Sequence, residues 1–313
     1  MDECEHATDG KDSSVGYSVS RKGVADNSAA RILRVSVYPA LLLSVVLVGV
    51  FAVRHQWDPA RVSPLFLLGV IGYLVLLERL IPYDRNWHPE KKEWRHYGIY
   101  FLLTMAGSGL AQWLVALAVG LISPADPTCH LGIEIPGALL TGSLASYLVH
   151  RLGHRNPLLW RLHGIHHVPE KVNVANNGVN HVLDIVLAQG LVQLALAIVG
   201  FSRPAVLVVG LFVAAQGYFV HANIDVRIGP LNHVLASPEQ HRLHHSTDLA
   251  EAGHYGSDLS CWDHLLGTFT WRPGREPAAV GLRDPAAFPG TGEILAALLH
   301  PWRRRPAPGP RPE

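Results

Sequence analysis

Residues 133–154, IEIPGALLTGSLASYLVHRLGH, decide the fold class of this chain because they join an apolar run to a pair of histidines. The run from Ile133 to Val149 predicts a membrane-spanning helix, since one crossing requires roughly 20 predominantly apolar residues. His150 and His154 follow on the same helix, and residues four apart share one helix face. The stretch therefore predicts a helical membrane protein with potential metal-binding histidines at one end of a membrane-spanning helix.

Further apolar runs predict more membrane-embedded helices. They are Val35–Val53, Val62–Ile81, Ile99–Ile122, Val182–Phe201 and Pro204–Val220. The last two are joined by a tight turn at Ser202-Arg203-Pro204, so they form a hairpin that either crosses the membrane or re-enters it. The predicted fold is all-α: an integral membrane helical bundle of four transmembrane helices plus this re-entrant or spanning hairpin, with a cytosolic histidine-rich di-metal cap.

The composition supports a membrane protein and argues against nucleic-acid binding. Of the 313 residues, 49% are hydrophobic and 16% are charged, against roughly 25% charged residues in a typical soluble domain. The formal net charge is only +1, so nothing indicates a nucleic-acid partner. The three cysteines are far apart and odd in number, which provides neither a disulfide framework nor a cysteine metal motif.

Three spaced motifs gather most of the histidines that follow the fourth span: HRLGH (150–154), HGIHH (163–167) and HRLHH (241–245). Neutral imidazole is the commonest protein metal ligand. We expect HxxHH to point its first histidine the same way as its fourth and fifth. Eight imidazoles exceed the four ligands of one tetrahedral zinc and suit two metal ions held close together. Asn156-Pro157 predicts a break after the first motif, and Ser237-Pro238 predicts the start of the helix that carries the third.

The distribution of positive charge predicts the orientation. The link after the third span, residues 123–132, has no lysine or arginine, whereas the links on the other side are basic. By the positive-inside rule, both termini and all three motifs then face the cytoplasm. The basic residues behind this prediction are Arg21, Lys22, Arg31, Arg34, Arg79, Arg85, Lys91, Lys92, Arg95, Arg151, Arg155, Arg161 and Lys171, with Arg54 and Arg61 as exceptions.

The chain divides into four predicted regions. Residues 1–30 form a polar N-terminus that we expect to be disordered and that lacks the apolar core of a signal peptide. Residues 31–132 form an N-terminal transmembrane region, and residues 133–272 form the catalytic domain. Residues 273–313 form a Pro- and Arg-rich C-terminal tail, whose last prolines cannot hold a helix.

Several segments between about Leu139 and Phe269 resemble the membrane-bound fatty acid hydroxylase and sterol desaturase superfamily. These segments are WRLHGIHH (160–167), PEQHRLHHS (238–246), Tyr255-Gly256 and WDHLLGT (262–268). The resemblance implies a non-haem centre of two iron ions that uses O2 and electrons from an external donor. It also implies a catalytic domain like that of the fatty acid hydroxylases for residues 133–272.

The resemblance adds two histidines to the ligand set. His221 stands where the sterol-desaturase and alkylglycerol-monooxygenase-like branch has a histidine. His181 stands where the superfamily often has the histidine of an Arg-x-His-Pro stretch. In this chain, Val179 replaces the arginine and Val182 replaces the proline. The predicted metal ligands are therefore His150, His154, His163, His166, His167, His181, His221, His241, His244 and His245.

Other residues near the motifs have expected supporting roles. Asp184, Asp225 and Asp263 are candidates for accepting the second ring N–H of an imidazole. Gly267 is expected just past a helix end. The histidines at 233, 254 and 264 match no ligand position of the superfamily.

The predicted reaction is O2-dependent hydroxylation of an unactivated C–H bond of a lipid, with a fatty acyl, sterol, glyceryl ether or carotenoid-like substrate. One alternative is a desaturase on the same scaffold, and another is a membrane metal transporter or sensor. HExxH is absent, which argues against a zinc protease. No haem-binding HPGG motif or GxGxxG fingerprint is present, so we expect a separate electron-transfer partner: a ferredoxin, a cytochrome or a reductase.

Overall fold

The computed structural model describes residues 28–119 and 129–303, and in these residues it contains helices and no β-strand. Six of the helices are long and apolar enough to cross a membrane. They are α1 (Ser28–Arg54), α2 (Pro59–Leu80), α3 (Lys91–Val119), α4 (Leu131–Arg155), α6 (Val182–Val199) and α7 (Arg203–Val220). The all-α, multi-pass prediction is confirmed, with six such helices where we expected four and a hairpin of undecided depth.

The six long helices pack as one bundle. Helix α7 contacts α1, α2 and α4, and α6 contacts α3 and α4. The approach of α3 to α6 is close, because a Cβ at Gly107 would lie 3.1 Å from the carbonyl oxygen of Val182. Small residues allow such close approach between membrane helices, where packing rather than the hydrophobic effect drives association.

Four short helices and their connections form a cap at one end of this bundle. These helices are α5 (Pro157–His163), α8 (Pro238–His244), α9 (Cys261–Leu265) and α10 (Ile294–Leu299). The cap is tied to the ends of the long helices by ion pairs, such as Asp225 with Arg34 on α1 and Lys171 with Glu93 on α3, each at 2.9 Å. The term cap refers below to residues 156–181 and 221–303.

The tip of the α6–α7 hairpin lies level with the first turn of α4. The backbone N and the hydroxyl of Ser202, the N-cap of α7, donate to the two carboxylate oxygens of Glu134 at 2.7 and 2.9 Å. Glu134 is buried in the first turn of α4, at the end opposite His150 and His154. Each hairpin helix has 18 residues, which is about 27 Å at 1.5 Å per residue and close to the thickness of a hydrocarbon core. The hairpin therefore reaches as far from the cap as α4 does.

The predicted helix boundaries in the cap are present. The Asn156 side chain accepts from the backbone N–H groups of Leu158 and Leu159, so it ends α4 and caps α5. Ser237 caps α8 in a reciprocal box with Gln240. Gly267, with φ of 72°, follows the end of α9 in the left-handed conformation.

Two predicted regional boundaries differ from the structure. Helix α1 begins at Ser28, so residues 28–30 are helical rather than disordered. The segment from residue 273 to Arg303 belongs to the cap rather than to a tail, because Phe288 packs edge-on against Trp160 and Arg161 donates to the carbonyl of Pro301 at 2.9 Å. Residues 1–27, residues 304–313 and the end of the third apolar run, residues 120–122, lie outside the described residues.

We predict that the α6–α7 turn is reached from the same side of the membrane as the link before α4. The test is labelling of Arg203→Cys by an impermeant maleimide, in a background of Cys4→Ser, Cys129→Ser and Cys261→Ser. The reference is the chain that retains only Cys129, which is exposed and lies just before α4. Both proteins should label from one side of oriented vesicles. Labelling of Arg203→Cys from the opposite side would mean that the hairpin re-enters.

Candidate metal centre

Nine of the ten predicted ligands come together in two groups. In each group, one ring nitrogen of every histidine lies within 4.8 Å of a ring nitrogen of each of the others. The first histidine group consists of His150, His154, His163, His167 and His244. The second histidine group consists of His166, His221, His241 and His245.

The two HxxHH motifs each divide their histidines between the groups. In residues 163–167, His163 and His167 join the first group and His166 joins the second; in residues 241–245, His244 alone joins the first. We expected the first, fourth and fifth residues to face one way. On a helix, however, positions i+3 and i+4 point about 100° apart, so they reach different centres. The 3-10 turn over residues 164–167 separates the last two of the first motif further.

The two groups are in contact. The rings of His167 and His245, from different groups, stack with centroids 4.2 Å apart. Those of His166 and His167 are neighbours in the chain and lie 5.5 Å apart at 88°. Ions held by the two groups would therefore be neighbours, as the count of histidines in the sequence predicts.

Five of the nine imidazoles have a fixed tautomer. Each Nδ1 atom lies within hydrogen-bond distance of a protein oxygen: a backbone carbonyl for four rings and the Asp184 carboxylate for the fifth. Because these oxygens accept hydrogen bonds, Nδ1 carries the proton and Nε2 keeps its lone pair. Such outer contacts orient a metal-binding imidazole and raise its basicity. The pairs are His150 with Tyr255 O (2.7 Å), His163 with Asp184 Oδ2 (2.9 Å), His166 with Val179 O (3.2 Å), His221 with Asn173 O (2.9 Å) and His244 with Gly253 O (3.1 Å).

The inward nitrogens have the character of ligands. The Nε2 atoms of His163 and His221 are buried with no hydrogen-bond partner among the described residues, which costs about 1–3 kcal/mol each. The Nε2 atoms of His241 and His245 lie 3.1 Å apart. Two nitrogens bound to one ion at about 2.1 Å have a similar separation. Donor sets made only of imidazole suit iron, zinc, copper or nickel, so these residues fit a pair of transition-metal ions.

Burial keeps the second histidine group neutral. Burial, and then the neighbouring histidines, lower the pKa of His166, His241 and His245 well below the usual value. Burial also lowers the pKa of His221 to about 4. All four rings are therefore uncharged at neutral pH, which is the form that binds a metal ion.

Asp263 supports the first histidine group through the backbone. Its carboxylate accepts from the N–H groups of Tyr255 (2.7 Å) and Gly256 (2.9 Å), and from the hydroxyl of Thr268 (2.7 Å). This loop supplies the carbonyls that orient two imidazoles of the group. A Cβ at Gly256 would lie 2.6 Å from the Asp263 carboxylate, so only glycine fits there. We expected Asp263 to contact an imidazole directly, but its Oδ2 is 3.7 Å from His254 Nδ1, beyond hydrogen-bond distance.

Glu78 supports the second group in a similar way, and the sequence did not indicate it. Its Oε1 accepts from the backbone N–H groups of Val174 and Asn223, both at 2.8 Å. Val174 directly follows Asn173, whose carbonyl orients the ring of His221, and Asn223 lies two residues after His221 itself. The only signal in the sequence is a carboxylate at the end of an apolar span, where ionisable groups are costly and usually functional.

The remaining candidates lie apart from both groups. His181 caps α6: its Nδ1 accepts from Leu183 N at 3.1 Å, and its Nε2 donates to the carbonyl of Leu298 at 3.0 Å. Both nitrogens of this ring are engaged, so we leave His181 out of the proposed ligand set. Asp225 forms an ion pair with Arg34, and no imidazole in the part of the chain that the structure describes contacts its carboxylate.

We predict that Asp184→Asn lowers the metal affinity of the first histidine group about 10–100-fold, because an amide replaces the carboxylate that orients His163. Asp225→Asn is the matched control, since that carboxylate forms an ion pair with Arg34 on α1 and orients no imidazole among the described residues. The measurement is metal retained per chain during dialysis against a graded chelator. Equal retention by the two variants would rule out the orienting role.

We also predict different results for two His→Asn variants. His221→Asn removes a ligand nitrogen of the second group and should lower the metal content per chain below that of the unchanged protein. His181→Asn should retain the full metal content, because asparagine is also a good helix N-cap. Metal analysis of the purified proteins tests this. Loss of metal from His181→Asn with a folded bundle would return His181 to the ligand set.

Comparison with known proteins gives the family. The fatty acid hydroxylase family model matches residues 135–268. Ornithine lipid hydroxylase OlsE of Rhizobium tropici is 30% identical over 281 residues, which cover 86% of this chain and 83% of that protein.

Alkylglycerol monooxygenases are also similar. The Danio rerio enzyme is 28% identical over 179 residues, covering 53% of this chain and 37% of the enzyme. The human enzyme is 29% identical over 150 residues, covering 47% and 33%. This chain thus matches about a third of their length. The comparison with solved structures found no significant match. The chain belongs to the fatty acid hydroxylase and sterol desaturase superfamily and is an oxygenase.

Proposed function

We propose that this oxygenase holds two iron ions in its two histidine groups and hydroxylates an unactivated C–H bond of a membrane lipid. The observation that carries the proposal is the pair of contacting, mostly buried, all-histidine groups at the ends of membrane-type helices. The similarity to lipid hydroxylases supports the reaction type.

The proposed ligands are the nine histidines of the two groups. With iron bound, the centre would supply reduction of O2 by two external electrons, which yields an oxidant strong enough to break a C–H bond. The overall balance is one lipid, one O2, two electrons and two protons, giving one hydroxylated lipid and one water.

The residues of the chain contribute position and a dry environment. Asp184 and the backbone carbonyls of the cap hold five imidazoles in one tautomer, so the ligand geometry is organised before any ion binds. The rings of the second group are all buried, which limits access of water to a reactive centre.

The substrate proposal follows from where the centre lies. His150 and His154 occupy the last turns of α4, and His221 directly follows α7. An amphipathic lipid can extend its hydrocarbon chain between the spans while its headgroup stays at the interface. Because the hydroxylase OlsE, which aligns with 86% of this chain, is named for ornithine lipid, we favour an acyl lipid with a polar headgroup over a sterol or a carotenoid.

The proposal includes orientation and an electron donor. The positive-inside distribution of lysine and arginine supports placing the metal centre and both termini in the cytoplasm, where soluble donors are available. A ferredoxin, a cytochrome or a reductase would then deliver electrons to the cap.

We predict that membranes containing this protein, an electron donor and 18O2 form lipids that gain one 18O atom. Mass spectrometry of total lipids is the measurement. His244→Ala should reduce the product to background, because it removes a ligand of the first group, whereas Asp225→Asn should retain it.

Two other results would contradict the proposal. Loss of two hydrogens without gain of oxygen would identify a desaturase. Metal-dependent uptake of an ion into vesicles without O2 consumption would identify a transporter.

A further inference from the structure

An apolar patch lies on the surface of the cap beside the metal centre. It consists of Leu231 (51% exposed), Val234 (57%), Leu265 (73%) and Leu266 (37%). The first two belong to the segment of residues 229–234 and the last two to the end of α9. The two segments are joined by backbone hydrogen bonds, such as that from Ser260 N to Val234 O at 3.0 Å.

The α9 side of the patch is anchored beside the interior of α4. The hydroxyl of Ser143 donates to Asp258 Oδ1 at 2.6 Å, and the indole N–H of Trp262 donates to the same hydroxyl at 3.2 Å. Ser143 precedes His150 by seven residues, which is about 10 Å further into the span. Helix α9 therefore lies next to the middle of α4 and not beyond its end.

The other side of the patch has an independent anchor between two different spans. The side-chain amide of Gln216, one turn before the end of α7, donates to the carbonyl of Ala236 at 2.7 Å. The Gln216 amide oxygen accepts from the hydroxyl of Tyr38 on α1 at 3.0 Å. The segment that carries Leu231 and Val234 is thus also held below the ends of the long helices.

The exposed surface of the patch carries no formally charged side chain. Within residues 229–234 and 261–267, the exposed residues are Pro230, Leu231, His233, Val234, His264, Leu265, Leu266 and Gly267. The nearby carboxylates of Asp258 and Asp263 are buried and hydrogen-bonded to the protein. The two exposed imidazoles, His233 and His264, contact each other at 3.3 Å. Among the exposed residues of these two stretches, the polar side chains are therefore this one pair of imidazoles, and each uses one ring nitrogen in the contact with the other.

We propose that lipid covers this patch: residues 229–234 and α9 are immersed in the acyl-chain region of the leaflet nearest the metal centre. An apolar surface held about 5–10 Å below the headgroup boundary is the depth at which interfacial helices bind membranes. The cap is then partly immersed in the bilayer, whichever reaction the enzyme catalyses.

The test uses the full-length protein in vesicles with the three native cysteines replaced by serine. Single cysteines at Leu265, at Leu140 on the exposed face of α4, and at Ala286 on an exposed turn of the cap are labelled with bimane. Phospholipids brominated on their acyl chains are the quencher. We expect Leu265→Cys and Leu140→Cys to lose about half of their fluorescence, and Ala286→Cys to keep nearly all of it.

Two outcomes would overturn the proposal. Leu265→Cys could be quenched no more than Ala286→Cys, which would place the patch in water. Alternatively, Leu265→Cys could remain unquenched and cross-link to a second copy of the chain, which would make the patch a dimer interface. If Leu265→Cys does not fold, as judged by size-exclusion chromatography in detergent, Leu231→Cys on the other segment gives the same readout with the same expected quenching.

Discussion

The structure depends on one constraint: nine mostly buried imidazoles must each turn one ring nitrogen toward one of two shared centres while the other nitrogen meets the needs of a buried polar group. A neutral imidazole has one N–H, which needs an acceptor when it is buried, and one lone pair. Four backbone carbonyls and one carboxylate accept the outward N–H of five rings. The conformations of the cap loops follow from this requirement, because backbone must pass within about 3 Å of four of these rings.

Three carboxylates stabilise that arrangement at different distances from it. Asp184 contacts the ring of His163 directly. Asp263 and Glu78 instead accept from backbone N–H groups in the loops whose carbonyls orient the imidazoles. A carboxylate that accepts several N–H groups fixes a loop in one conformation without adding a ligand to the centre. The metal ligands can therefore be all imidazole, while the three carboxylates lie outside the two histidine groups.

The position of the centre follows from the apolar spans. Because the helices alternate in direction, one end of the bundle gathers the end of α4, the end of α7 and the start of α6, and each of these contributes to the site or supports it. Each HxxHH motif places two histidines in one group and one in the other, so a single segment cannot supply all the histidines of either group. Two centres built in this way require the whole cap to fold onto the bundle.

The sequence by itself determined the apolar helices, the boundaries at Asn156 and Ser237, and the histidines available to a metal, because each depends on spacing within one span or one helical turn. Only the tertiary structure decided how these histidines divide between two groups, that His181 caps a helix instead, and that Glu78 holds Asn223. The physical reason is that these contacts join segments as much as 145 residues apart. Their geometry is set by helix packing and by hydrogen bonds to loop carbonyls, neither of which leaves a periodic pattern in the chain.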